Sequence, residues 1–209
     1  TLQEKGWGAR FSEPDFSHFM EHYGPFFDIW GSINNKILAQ TLGLFSEDNV
    51  RHLHLILIAA LTVFFTYLFA EKAHSARAAV FSSLFLIAFP RFIGHSFNNP
   101  KDIPVTFLFV LSLYIFFLRL KSGRRIFSYA LAITGGVGFA TKFIYMIVPI
   151  IIIIYIILYH IYLKMLSGPP VISLSSLWDV GVALILSIPI GLLLWPYFWS
   201  APLPKLRQL

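Results

Sequence analysis

The sequence contains no cysteine, and only 12% of its 209 residues are charged. The first absence removes disulfides, thiolate nucleophiles and cysteine-ligated zinc. The second separates the chain from soluble domains, which carry about a quarter charged residues. With 57% hydrophobic residues, the chain cannot cover an apolar core with polar surface, and a bilayer is its natural solvent. A net charge of +6 raises the question of nucleic acid. The basic residues are spread among short connecting loops, however, without a stripe of interleaved aromatics, so no nucleic-acid partner is expected. The N-terminal stretch TLQEKGWGARFSEPDF lacks the apolar run of a signal peptide. The abrupt start and finish predict a piece of a longer chain.

What the sequence does have is long apolar runs. Six spans are predicted, at about 53–70, 78–93, 103–118, 126–141, 143–163 and 180–199. Without period-2 alternation these are helices, since only helices and closed barrels satisfy their backbone in lipid. The expected fold is therefore all-α, a polytopic bundle over residues 51–200. An amphipathic extracytoplasmic region precedes it at 1–50, and the start of another external loop follows at 201–209. Within the first region, Phe26, Ile29, Trp30, Ile33, Ile37 and Leu38 recur at helical spacing and predict a helix lying on the membrane surface. The run Gly135, Gly136, Gly138 predicts close helix packing.

Basic residues set the orientation. Lys72 and Arg77, then Arg119, Lys121, Arg124 and Arg125, then Lys164 fall in alternate loops, which are assigned to the cytoplasm as plain positive charge. The opposite side then gathers the residues with chemical potential: Glu21, His22, Asp28, Arg91, His95, Asn98, Asn99, Lys101, Asp102 and Lys142. Ionisable groups at membrane depth are costly and are functional candidates by default.

The stretch FPRFIGHSFNNPKDIP holds the densest cluster. Arg91 suits a phosphate, because its planar fork makes two parallel hydrogen bonds. Asp102 opens a span, where a carboxylate gains from the helix dipole. Each also has a plainer role: Asp102 as an ordinary helix-start residue, Arg91 and Lys101 reaching for headgroups. Lys142, at the end of GGVGFATKF, divides the same way between phosphate ligand and interfacial anchor. His18, Glu21 and His22 spell an inverted zinc-peptidase pattern. Gly24-Pro25 would end its helix at once, and no soluble domain follows to supply a third ligand. Trp195, Tyr197 and Trp199 read as an aromatic belt at a membrane exit.

Taken together, FMEHYGPFFDIWGSI, PRFIGHSFNNPKDIPVTFLFVLSLY, GGVGFATKF and WPYFWSAP resemble, in order, segments of the polytopic lipid-linked-sugar glycosyltransferases. These form the protein mannosyltransferase and aminoarabinose transferase-like superfamily of the GT-C fold, family 39. The resemblance implies an inverting transfer from a polyprenyl-phosphate sugar to a hydroxyl of a lipid, glycan or protein acceptor, on the extracytoplasmic side of a plasma or inner membrane. It implies Asp102 and Glu21 as catalytic carboxylates, and Arg91, Lys142, His22, His95, Asn99 and Lys101 as substrate ligands. A divalent metal ion, if used, would draw on Glu21, His95 and Asp102. Two departures stand out. The family's first span, with the acidic motif that supplies its proposed base, does not precede Thr1, and His22 stands where aminoarabinose transferases carry lysine. A transporter or a non-catalytic membrane subunit is the alternative. A transporter would be expected to bury its ionisable groups at mid-span, and here they collect at one rim.

Overall fold

The computed structural model describes residues 24–165 and 174–199, and every regular element in them is helical. Helix α1 (Phe26–Asn35) runs on into a π-helical turn (Lys36–Thr41). It buries Phe27 and leaves Ile29, Trp30 and Ile33 exposed, with Ile37 exposed in the turn that follows. Helix α2 (Glu47–Ala73) starts at Ser46, whose hydroxyl accepts from the Asn49 N–H at 3.4 Å, with Glu47 and Asp48 at the positive end of the helix dipole. Its 27 residues reach about 40 Å, more than a hydrocarbon core needs.

The second predicted span does not run straight. Helix α3 (Ala76–Ala88) stops at Phe89, helix α4 (Pro90–Asn98) begins at Pro90, and the two are bent by 66°. The cause is local. Proline has no N–H to continue the ladder and pushes the residue before it out of the helical region. Phe89 accordingly takes φ −74°, ψ 111°. Arg91 thus sits on a new short helix rather than inside the end of a span. The His52 ring hydrogen-bonds the Phe97 carbonyl, tying the far end of α4 to α2.

Helix α5 (Asp102–Ser122) ends where Gly123 takes φ +68°, a left-handed cap that suits glycine. Helix α6 (Ile126–Phe139) turns back alongside it. A 3-10 turn (Phe143–Met146) leads into α7 (Ile147–Met165). Helix α8 (Leu174–Leu194) starts six residues before the predicted sixth span and ends in a short turn, Pro196–Phe198. Four segments are long and apolar enough to cross a membrane: Glu47–Ala73, Asp102–Ser122, Phe143–Tyr162 and Ser175–Leu194. The bent α3–α4 pair makes up to five. The expected six is not reached because Pro90 breaks one span and α6 has only 14 residues, about 21 Å against a core of about 30 Å.

Cross-helix pairs fix the topology. Phe65 meets Phe107 and Tyr114, and Phe69 meets Tyr114 and Phe117, so α2 and α5 run parallel. The predicted glycine packing is present between α6 and α8. A Cβ on Gly136 would lie 2.3 Å from Ile190 Cγ2, closer than any real contact. Trp195, expected in an aromatic belt, is fully buried instead, with its ring 5.6 Å from Phe139 and 4.9 Å from Phe198. The seam carries the end of α8 inward, and only Trp199 of the predicted belt stays largely exposed.

At the α5–α6 turn end, the supposedly plain positive charge proves structured. Arg119 is 2% exposed. It donates to Ser128 Oγ at 2.9 Å, Ser176 Oγ at 3.1 Å and Asp179 Oδ2 at 2.8 Å. This network ties α5, α6 and α8 together.

Two expectations follow, both checked by thermal unfolding in detergent. Gly136→Ala should destabilise by about 1–3 kcal/mol despite the better helix propensity of alanine, and adding Ile190→Ala should restore part of the loss. Asp179→Ala strands the buried Arg119 charge and should cost about 3 kcal/mol or more, whereas Arg119→Met with Asp179→Leu should recover most of it.

Candidate functional site

Asp102 is the first residue of α5, and Asn99 shapes the turn leading into it. The Asn99 Oδ1 accepts from the Lys101 N–H at 3.1 Å and the Asp102 N–H at 2.9 Å, an Asx-type turn. With its oxygen committed to the backbone, the Asn99 amide nitrogen faces outward and bridges His95 Nδ1 at 2.7 Å and Asp102 Oδ2 at 3.0 Å. The other carboxylate oxygen, Oδ1, accepts from Lys142 Nζ at 2.7 Å.

The His95 ring decides its own tautomer. A neutral imidazole accepts on one nitrogen only. Since Nδ1 accepts from Asn99, Nε2 carries the proton. The Arg91 Nε, 3.4 Å from Nε2, is then a neighbouring donor rather than a strong partner. Arg91 is exposed and stands one helical turn before His95 on α4. The result is a continuous row: Arg91, His95, Asn99, Asp102, Lys142.

Lys142 reaches Asp102 because α6 ends early. The Thr141 and Lys142 N–H groups both close on the Gly138 carbonyl at 3.1 Å, and Lys142 then extends, with φ −158° and ψ 130°. Tyr145 holds the following turn. It is 2% exposed, its N–H bonds the Lys142 carbonyl at 2.9 Å, and its hydroxyl meets Ser112 Oγ and the Leu108 carbonyl on α5. A Cβ on Gly138 would lie 2.4 Å from the Tyr145 ring, so this glycine makes the room. The turn carrying Lys142 is thereby pinned to the helix carrying Asp102.

Lys101 has a different setting. Its ammonium is nearly buried, donates to the Gly24 carbonyl at 3.1 Å and pairs with Asp28. Gly24 itself packs flush on the C-terminal cap of α6, where a Cβ would fall 1.7 Å from the Ala140 carbonyl oxygen. Lys101 therefore staples the segment before α1 to the rim. Glu21 and His22, with the rest of the H-x-x-E-H motif, lie outside the described residues.

Four of the predicted residues, His95, Asn99, Asp102 and Lys142, are thus hydrogen-bonded in one row, with Arg91 next to His95 and Lys101 beside Asp102. Sequence reasoning missed Tyr145 and Ser112, which look like ordinary span residues. Their only signal is spacing, since Tyr145 follows Lys142 by three. Among the described residues no three of His, Asp and Glu gather as a metal site. His95 and Asp102, two of the three expected metal ligands, are engaged with Asn99 and Lys142, and the third, Glu21, lies outside the described residues.

Tyr145→Phe removes the hydroxyl links to Ser112 and Leu108 while keeping the ring. It should cost about 1 kcal/mol of stability and raise hydrogen exchange of the 142–146 turn more than that of α2. Exchange mass spectrometry checks this.

Residues 37–195, most of the chain, match the family described as dolichyl-phosphate-mannose-protein mannosyltransferase. No curated protein and no solved structure matches the chain. The family match and the apolar helices agree on a multi-pass membrane protein. The chain belongs to the dolichyl-phosphate-mannose-protein mannosyltransferase family, membrane glycosyltransferases of the GT-C type.

Proposed function

We propose that this glycosyltransferase moves a sugar from a polyprenyl-phosphate donor to an acceptor hydroxyl, with inversion, at the rim that carries Asp102 and Lys142. The observation that carries the reading is the 2.7 Å contact between these two residues, extended to His95 through Asn99, with the Arg91 side chain 3.4 Å from His95. Cations and donors in a row at the end of an apolar bundle suit a phosphate whose tail stays in lipid. That rim is the extracytoplasmic one on this reading, because Lys72, Arg77, Lys121, Arg124 and Arg125 lie in the turns at the other end.

In the reaction, the acceptor oxygen attacks the anomeric carbon and the bond from that carbon to the phosphate oxygen breaks. The phosphate departs with the electron pair, and a carboxylate takes the hydroxyl proton. Arg91 is suited to the leaving phosphate: its side chain is exposed and stands beside His95, which in this tautomer gives it no acceptor. His95 offers its Nε2 proton beside it. Lys142 adds positive charge where negative charge develops. Both Asp102 oxygens already accept hydrogen bonds, from Lys142 and from Asn99, which suits Asp102 to aiming Lys142. Of the two carboxylates expected to act, Glu21 is the other, and the acceptor is a lipid, glycan or protein hydroxyl.

The test uses the complete protein in detergent with a labelled polyprenyl-phosphate hexose. Arg91→Ala and Lys142→Ala should each lower transfer by about a hundredfold or more, and Asp102→Asn should lower it with a smaller change in donor binding. Wild-type turnover in both cation variants would remove the proposal. Donor-independent solute flux in proteoliposomes, without any transfer, would favour a transporter instead.

A further inference from the structure

At the opposite end of the bundle a groove opens between α6 and α8, and its polarity changes along its length. One end is lined by Arg125, Ser128 and Asp179, the other by Ala132, Ala183 and Leu186. The span from Arg125 to Ala132 is seven residues, about 10 Å of helix. Ala132 and Ala183 are buried and form an apolar floor. Trp178 and Tyr129, 73% and 61% exposed, stand at its sides. A water-soluble ligand has no use for the apolar half, and a pure hydrocarbon has none for the charged half. An amphiphile fits both.

The charge count selects its sign. Arg119 and Arg125 both donate to one oxygen, Asp179 Oδ2, at 2.8 and 3.2 Å. Two guanidiniums on one carboxylate leave one positive charge in excess, and Arg124 lies next in sequence. Arg125 is held through Nε alone. Its side chain is 72% exposed, and its two terminal nitrogens have no hydrogen-bond partner among the described residues. Those nitrogens form the fork that pairs with phosphate oxygens. Asp179 thus fixes the stem of Arg125 while Arg119 neutralises Asp179.

We propose that this groove binds an anionic phospholipid, with the phosphate on Arg125, the headgroup region beside Trp178 and the start of one acyl chain along Ala132, Ala183 and Leu186. The site is separate from the Asp102 rim and does not depend on the transfer reaction.

The complete protein in detergent would be titrated with phosphatidylglycerol and, separately, with phosphatidylcholine, with bound lipid counted by native mass spectrometry. Phosphatidylglycerol should be retained preferentially. Arg125→Gln should weaken it about tenfold. Arg77→Gln, an exposed cation in the first turn of α3, should leave it within about twofold. If Arg125→Gln does not fold, Arg125→Lys keeps the charge, loses the fork, and should still reduce the preference. Equal losses in the Arg125 and Arg77 variants would reduce the effect to general surface charge and overturn the site. So would equal retention of the two lipids, or displacement of phosphatidylglycerol by millimolar inorganic phosphate.

Discussion

The close approach of α6 to α8 is the constraint on which both ends of the molecule depend. Gly136 brings the backbones together, and the side chains above and below it then have fixed partners. Toward one end, α6 delivers Lys142 to Asp102; toward the other, it delivers Ser128 to Arg119, which α8 meets with Ser176 and Asp179. In lipid there is little hydrophobic force between helices, so such seams rest on dispersion and hydrogen bonds. Helix α5 packs along the same seam and contributes Asp102, Ser112 and Arg119 from its start, middle and end.

The two charged clusters are built differently, in keeping with different tasks. Arg119 itself is buried and donates from all three of its nitrogens to protein acceptors, which gives rigidity, while Arg125 beside it stays exposed. Around Asp102 the groups are partly exposed, with Lys142 and Asp102 side chains 24% and 38% accessible. A pair with that much solvent contributes little to stability. Its order comes from the backbone instead, through the Asn99 turn on one side and the Tyr145 anchor on the other.

Much of this was legible beforehand. Apolar runs located the helices, the glycine cluster located the seam, and the polar stretch from Arg91 to Asp102 located one half of the candidate site. Lys142 could be placed on the same rim by counting spans. What one-dimensional pattern does not carry is pairing across helices. Lys101 and Lys142 look equivalent in the sequence, yet one is buried against Asp28 and the other meets Asp102. Arg119 reads as one more basic loop residue until Asp179, placed by the earlier start of α8, is brought against it. Trp195 reads as interfacial until Phe139 and Phe198 enclose it. Pro90 announced a disruption, but its size depends on how α4 is tied back at Phe97.

That bend has a geometric corollary. A nine-residue helix is about 13 Å long, but tilted 66° from α3 it advances only about 5 Å along that axis. Successive turns of α4 therefore advance sideways from α3 more than along it. Arg91 and His95, a full turn apart, are separated by only about 2 Å along the α3 axis, a spacing set jointly by Pro90 and the tie at Phe97.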